Sequence, residues 1–138
     1  MNVIEATTIE AKQDAFSVRD RVFIEEQGVD PEIEHDQYDA VALHFVGYLD
    51  GQAIAAARVR LINGAGKIQR VAILQEHRQQ GYGKQLMVAI ESMLAERKVS
   101  RLYLNAQSHA IHFYQAIGYT VCSEPFYQAG IEHVTMEK

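Results

Sequence analysis

HRQQGYGKQLM, residues 77–87, sets an arginine, two glutamines and a Gly-Tyr-Gly turn directly before an apolar run with helical spacing. The first backbone N–H groups of a helix have no intrahelical acceptor, and the helix start carries a partial positive charge. Glycines at that point let a diphosphate approach the bare backbone, so the stretch predicts an anion site. Two familiar phosphate loops do not fit. A dinucleotide fingerprint needs Gly or Ala three residues after Gly83, where Leu86 stands, and a P-loop needs Ser or Thr after Gly83-Lys84, where Gln85 stands. Gly66-Lys67 fails in the same way, with Ile68 following and Leu61 in place of the first glycine. What remains is Arg-x-x-Gly-x-Gly, built from Arg78, Gly81 and Gly83.

Upstream of this loop, KIQRVAI (67–73) has the composition of a strand. Before it, ALHFVGYL (42–49) and QAIAAARVRLI (52–62) flank Asp50-Gly51, a pair suited to the positive φ of a tight hairpin, and Asn63-Gly64 makes the next reversal. Nearer the start, NVIEA (2–6) reads as a strand and Thr7 with Glu10 as a capping box. Ala11, Ala15, Val18 and Val22 recur at helical spacing, which predicts a helix to about Glu26, stopped near Gly28 and Pro31. Downstream, Tyr82, Leu86, Ile90, Met93 and Leu94 share a helical face that runs to about Arg97. RLYLNA (101–106) is then a strand, Ser108 caps a short helix through Ile117, and YTVCS (119–123) and HVTME (133–137) are the last strands, joined by a loop. The order β-α-β-β-β-α-β-α-β-β is an antiparallel meander leading into a β-α-β crossover. The loop therefore falls at the C-terminal end of a parallel strand, where open α/β sheets place ligands.

The chain has 138 residues, enough for one domain with a real core, and no repeat or linker divides it. No apolar stretch approaches a membrane span, and the N-terminus lacks the layout of a signal peptide. The single cysteine, Cys122, excludes an internal disulfide framework and fits a reducing, cytoplasmic setting. Charge is unevenly spread. Between Arg21 and Arg58 there is no Lys or Arg but eight acids: Glu25, Glu26, Asp30, Glu32, Glu34, Asp36, Asp39 and Asp50. Taken from eighteen acids, these leave ten against thirteen basic residues, so the rest of the chain is about +3. An acidic protein with no basic stripe excludes nucleic acid as an expected partner. The acidic interval reads either as a solvated loop or as a surface that draws a cation.

The Arg78–Gly83 pattern between strand and helix resembles the acetyl-CoA loop of the GNAT superfamily of N-acetyltransferases. NAQSHAIHFYQAIGY (105–119) is similar to a second signature of that family, and VFIEEQGV (22–29) with AGIEHVTMEK (129–138) resembles its small bacterial YjcF-like and ElaA-like branch. The resemblance implies an α/β GNAT fold: a mixed, mostly antiparallel sheet with one splayed parallel strand pair. It also implies acetyl transfer from acetyl-CoA to a primary amine, by direct attack in a ternary complex. Residue by residue, it implies that the backbone of Val71, Ala72 and Ile73 pairs with the pantetheine arm, with the Ile73 N–H facing the thioester oxygen. The pyrophosphate would rest on backbone N–H groups of Gln79, Gln80, Gly81, Tyr82, Gly83 and Lys84, with Arg78 at the loop's mouth. Asn105 would contact the cofactor where the strands part, and Tyr114 would stand beside the sulfur as proton donor.

Several roles stay open. Tyr114 also falls on a helical face with Ala110, Phe113 and Ile117, as a core tyrosine would. Many family members carry a glutamate on the strand before the loop, but KIQRVAI has none and Gln69 cannot take a proton. Glu26 is the substitute base, with His35 and His109 behind it, while Arg70 either holds a substrate carboxylate or pairs with a glutamate. No metal site is expected, because His109 and His112 lack a third ligand. The expected acceptor is a small-molecule amine, with a cationic one favoured by the acidic interval. A protein amine and a non-catalytic acyl-CoA-binding sensor are the alternatives, and small members of the family often pair as homodimers.

Overall fold

The computed structural model describes residues 1–138. Its strands are β1 (Asn2–Glu5), β2 (Leu43–Leu49), β3 (Gln52–Ile62), β4 (Ala65–Ile73), β5 (Leu102–Gln107), β6 (Thr120–Val121), β7 (Phe126–Gln128) and β8 (Ile131–Glu137). Its helices are α1 (Ile9–Arg19), α2 (Pro31–Glu34), α3 (Tyr82–Glu96) and α4 (Ile111–Ala116). The sheet order is β1-β2-β3-β4-β5-β8-β6, with β7 paired to β8. All pairings are antiparallel except β4 with β5. This is the expected meander followed by a β-α-β crossover.

β3 is buried without a break from Ile54 to Val59 because helices cover both of its faces. Arg58 shares Asp39 with Arg19 of α1, while Leu94 of α3 packs over Gly66 beside Val59. Neighbouring strand residues point to opposite faces, so α1 and α3 lie on opposite sides of the sheet. The apolar positions read from the sequence are the buried ones: Ala11, Ala15 and Val18 on α1, and Leu86, Ile90 and Leu94 on α3. Alanines at the α1 contact and in the run Ala55–Ala57 let helix and strand approach closely.

Four local features differ from expectation. Thr8, not Thr7, caps α1, accepting from the Ala11 N–H at 3.1 Å. From Asp20 to Glu26 the helix widens to π geometry, marked by the bond from Gln27 N–H to the Val22 carbonyl. Ser108 does not cap α4; its hydroxyl donates to Glu132 instead. The segment 124–132, expected as loop, contains β7, which forms a hairpin with β8. A three-residue strand is too short for its alternation to stand out in sequence.

Candidate active site

β4 and β5 stay paired only from Gly66–Ile68 against Leu102–Leu104. Beyond that point they part, and a cleft of about 1130 Å³ opens between them. A β-bulge starts the separation. Between the pairs Arg58↔Gln69 and Ala56↔Ala72 the register slips by one residue, and Arg70 sits at φ +58°. The slip reverses the sense of the backbone. Gly66 N–H points to the β5 side, donating to Arg101, whereas Leu74 N–H points to β3, donating to Ile54. The Ile73 carbonyl, in the same peptide unit as the Leu74 N–H, therefore points away from β3, where it accepts from Arg78 Nε at 2.9 Å. In extended backbone a residue's N–H and C=O share a side, so the Ile73 N–H faces the cleft. Val71 and Ala72 also line it.

After β4 the chain makes a 3₁₀ turn, Gln75–His77, and then the loop. Gln79 at φ +63° and Gly81 at φ +88° both adopt left-handed backbone. Six consecutive N–H groups, Gln79 to Lys84, donate to no protein acceptor; the ladder resumes with Gln85 donating to Gly81. Gly83 is needed for space, since a Cβ there would lie 3.1 Å from the Phe113 ring. The Tyr82 ring packs edge-on against His77, and Gln80 reaches back to the Glu76 carbonyl at 3.4 Å. Arg78 does not extend towards the loop amides. Its guanidinium holds both carboxylate oxygens of Glu26 at 2.7 Å, joining the widened end of the first helix to the loop's mouth.

That pairing changes the reading of Glu26. The Arg78 hydrogen bonds hold its carboxyl below the usual carboxylate range, and a carboxylate with both oxygens engaged is a poor proton acceptor. His35 is bound to Asp20 at 2.7 Å and does not line the cleft. His109 does line it, 2.6 Å from Gln107, whose amide in turn donates to Gln27 at 3.0 Å.

Tyr114 is 8 % exposed and lines the cleft, and burial pushes its hydroxyl well above the ordinary tyrosine value. Asn105 also lines the cleft; its carbonyl oxygen accepts from Thr135 at 2.9 Å, which leaves the amide nitrogen facing Gln128 at 3.4 Å. Gln69 is oriented by buried Arg58, which donates to Gln69 Oε1 at 3.0 Å, so its free end offers only N–H. His133, which sequence reasoning passed over, is buried in the cleft wall. Its Nδ1 lies 2.7 Å from the Ile131 carbonyl, an acceptor only, so Nδ1 is the donor of that bond, and Nε2 has no hydrogen-bond partner in the protein. A histidine near a chain end gives no signal in sequence; the β7–β8 hairpin selects it, stacking Phe126 on its ring.

Arg70 resolves to the second of its two readings. It pairs with Glu34 and Asp36 and donates to the Ile33 carbonyl at 3.1 Å. With Arg19 and Arg58 bound to Glu34, Asp36 and Asp39, three arginines and three acids close into one network. Half of the acidic interval is therefore paired within the protein: Glu26, Glu34, Asp36 and Asp39 are all engaged by arginine, which removes half of the charge that was read as drawing a cationic acceptor.

The Acetyltransferase (GNAT) domain family matches residues 7–138. The uncharacterized N-acetyltransferase YjcF of Bacillus subtilis (strain 168) is 40 % identical over 139 residues, spanning 100 % of this chain and 99 % of that protein. Among solved structures, a candidate N-acetyltransferase from Lactobacillus plantarum matches with a TM-score of 0.93 at 26 % identity, over 99 % of this chain and 96 % of that one. Escherichia coli ElaA matches with a TM-score of 0.85 at 25 % identity, over 99 % and 97 % of the two chains.

Proposed function

The chain belongs to the GNAT acetyltransferase family, and from that premise we propose that it moves an acetyl group from acetyl-CoA to a primary amine of a small molecule, by direct attack in a ternary complex. One observation carries the proposal: six unpaired N–H groups at the mouth of a cleft that leads to the Ile73 N–H and Tyr114. Such amides suit a pyrophosphate, because their dipoles are already aimed and need no reorganisation. Val71, Ala72 and Ile73 offer an unpaired strand edge to a pantetheine arm, and the Asn105 amide stands across the gap.

The thioester supplies an activated acyl carbon and a sulfur leaving group. The protein must then manage protons and charge. A primary amine with a pKa near ~10 is mostly protonated at neutral pH and is no nucleophile until it loses a proton. In our reading His133 Nε2 receives that proton, in place of Glu26, whose oxygens belong to Arg78. The Ile73 N–H offsets negative charge that grows on the acyl oxygen. Tyr114, kept protonated by burial, donates a proton to the departing sulfur and takes one back from solvent, to which His133 releases the protons removed from the amine. Glu26 acts with Arg78 to hold the loop's mouth.

Free-thiol release from acetyl-CoA, measured across polyamines, amino sugars, amino acids and peptides with product masses, tests the proposal. Release with a small amine and a product heavier by one acetyl group supports it. Acetylation confined to protein amines, with no small amine turned over, overturns it.

A further inference from the structure

The sheet face that carries Gln69 and Asn105 continues past the cleft. Strand residues two apart share a face, so Lys67 on β4 and Tyr103 on β5 lie on it, and they are paired with each other. Arg60 on β3 stands directly opposite Lys67. Each cation lies against an aromatic ring: Arg60 Cζ is 3.5 Å from the Tyr38 ring centre, and Lys67 Nζ is 5.9 Å from that of Tyr103. All four side chains are half-buried.

What sets this pair apart is the lack of an acid. The ion pairs of this face join Arg58 to Asp36 and Asp39 and Arg70 to Glu34 and Asp36, and leave Arg60 and Lys67 out. The acid on the same cross-strand row, Glu137, is opposite Tyr103 on β8, roughly 10 Å from Lys67 by strand spacing. Like charges directly opposite on neighbouring strands destabilise a sheet. Burial, with Arg60 and Arg58 nearby, pulls the Lys67 ammonium below its ordinary pKa. Two uncompensated cations between two tyrosines form a surface that an anion would relieve.

We propose that Arg60 and Lys67 form an anion subsite adjoining the cleft, which takes a carboxylate or phosphate carried by the acceptor, with Tyr38 and Tyr103 as its walls. This rests on the acetyl-transfer proposal above and names the acceptor class: a primary amine bearing an anionic group. Lys67 lies two residues, roughly 7 Å, beyond Gln69 along β4, so an acceptor whose amine lies on the far side of Gln69 needs more than that length between amine and anion. Gln69, whose free end only donates, lies between them and suits an oxygen in the linking part.

The test uses graded ω-amino carboxylates and ω-aminoalkyl phosphates against alkylamines and diamines of the same lengths, with thiol release as readout. The anionic series is expected to show a length optimum, with kcat/KM about tenfold or more above the matched alkylamine, as for hydrogen bonds to a charged group. Arg60→Gln with Lys67→Gln should abolish that optimum and leave alkylamine turnover and CoA affinity unchanged. Turnover of alkylamines or diamines equal to that of the anionic series overturns the subsite while leaving acetyl transfer intact. If no small amine turns over, the acetyl-transfer proposal is the one that fails. Inorganic phosphate titrated into the CoA-saturated protein then decides the subsite separately: NMR shifts at the Tyr38 and Tyr103 rings that vanish in the double variant support it, and their absence from the parent protein overturns it.

Discussion

Burial keeps the Tyr114 hydroxyl protonated far above neutral pH, which suits a donor and removes it as a base. Tyr114→Phe is therefore expected to lower kcat by roughly a hundredfold or more, the usual span for a positioned acid, with CoA affinity unchanged in a binding titration. An equal fall in affinity would make Tyr114 a wall of the cleft instead. His133 should show a different signature. Replacing it with Gln should reduce kcat/KM by about a hundredfold at neutral pH. The loss should shrink as the pH nears ~10, where the amine sheds its own proton. Parallel profiles at every pH would exclude the base role. The place of Tyr114 in the cleft wall was legible through the resemblance that FYQAIGY carries. His133 was not, because its usefulness depends on a hydrogen bond to Ile131 that exists only once the last hairpin has formed. Glu26 illustrates the converse: its position was legible, but its partner, Arg78, is fifty-two residues away.

At the scale of elements, the loop from Gln79 to Lys84 shows why glycine is required in one place for conformation and in the other for room. A Cβ on Gly81 would meet nothing within 4 Å, so Gly81→Ala would be penalised only for its φ of +88°, about 1–2 kcal/mol for a left-handed residue with a side chain. A backbone that relaxes there turns the N–H groups beside it. The expected outcome is a lower Tm together with CoA affinity weakened about tenfold, the size of one lost bond to a charged group. Stability lost with CoA affinity intact would mean that these amides do not hold the anion. Gly83→Ala supplies the contrast, since its Cβ would press at 3.1 Å on a Phe113 ring packed edge-on against Tyr114, so its cost comes from crowding and not from backbone conformation. The strands and long helices could be read from periodicity, because each buries a regular face. The bulge at Arg70 and the π turn at Asp20–Glu26 could not, because both answer demands from outside their own segments. One parts β4 from β5, and the other brings Glu26 to Arg78.

For the whole molecule, the network of Arg19, Arg58 and Arg70 with Glu34, Asp36 and Asp39 fastens the segment between α1 and β2 to the face of the sheet. Sequence alone showed these acids as a run without bases, since the arginines that answer them come from α1, β3 and β4. Arg19 and Arg58 are 0 % and 1 % exposed, so each depends on its acids for compensation. Hydrogen bonds from Arg58 hold the Asp36 carboxyl down to about 2, from an ordinary 3.8. A carboxyl with a lowered folded pKa stabilises the fold fully above its unfolded value. That contribution is lost as the pH falls from 3.8 through about 2; for this shift it is roughly 2 kcal/mol. Asp39 shifts in the same direction and adds to the acid sensitivity. Urea unfolding at stepped pH should therefore show stability falling steeply below pH ~4. Asp36→Asn should lower stability by about 2 kcal/mol at neutral pH and flatten the acid slope, because the variant has no proton to gain there. A variant as acid-sensitive as the parent would place the pH dependence elsewhere, and the network would then be a set of contacts that form without holding the segment in place.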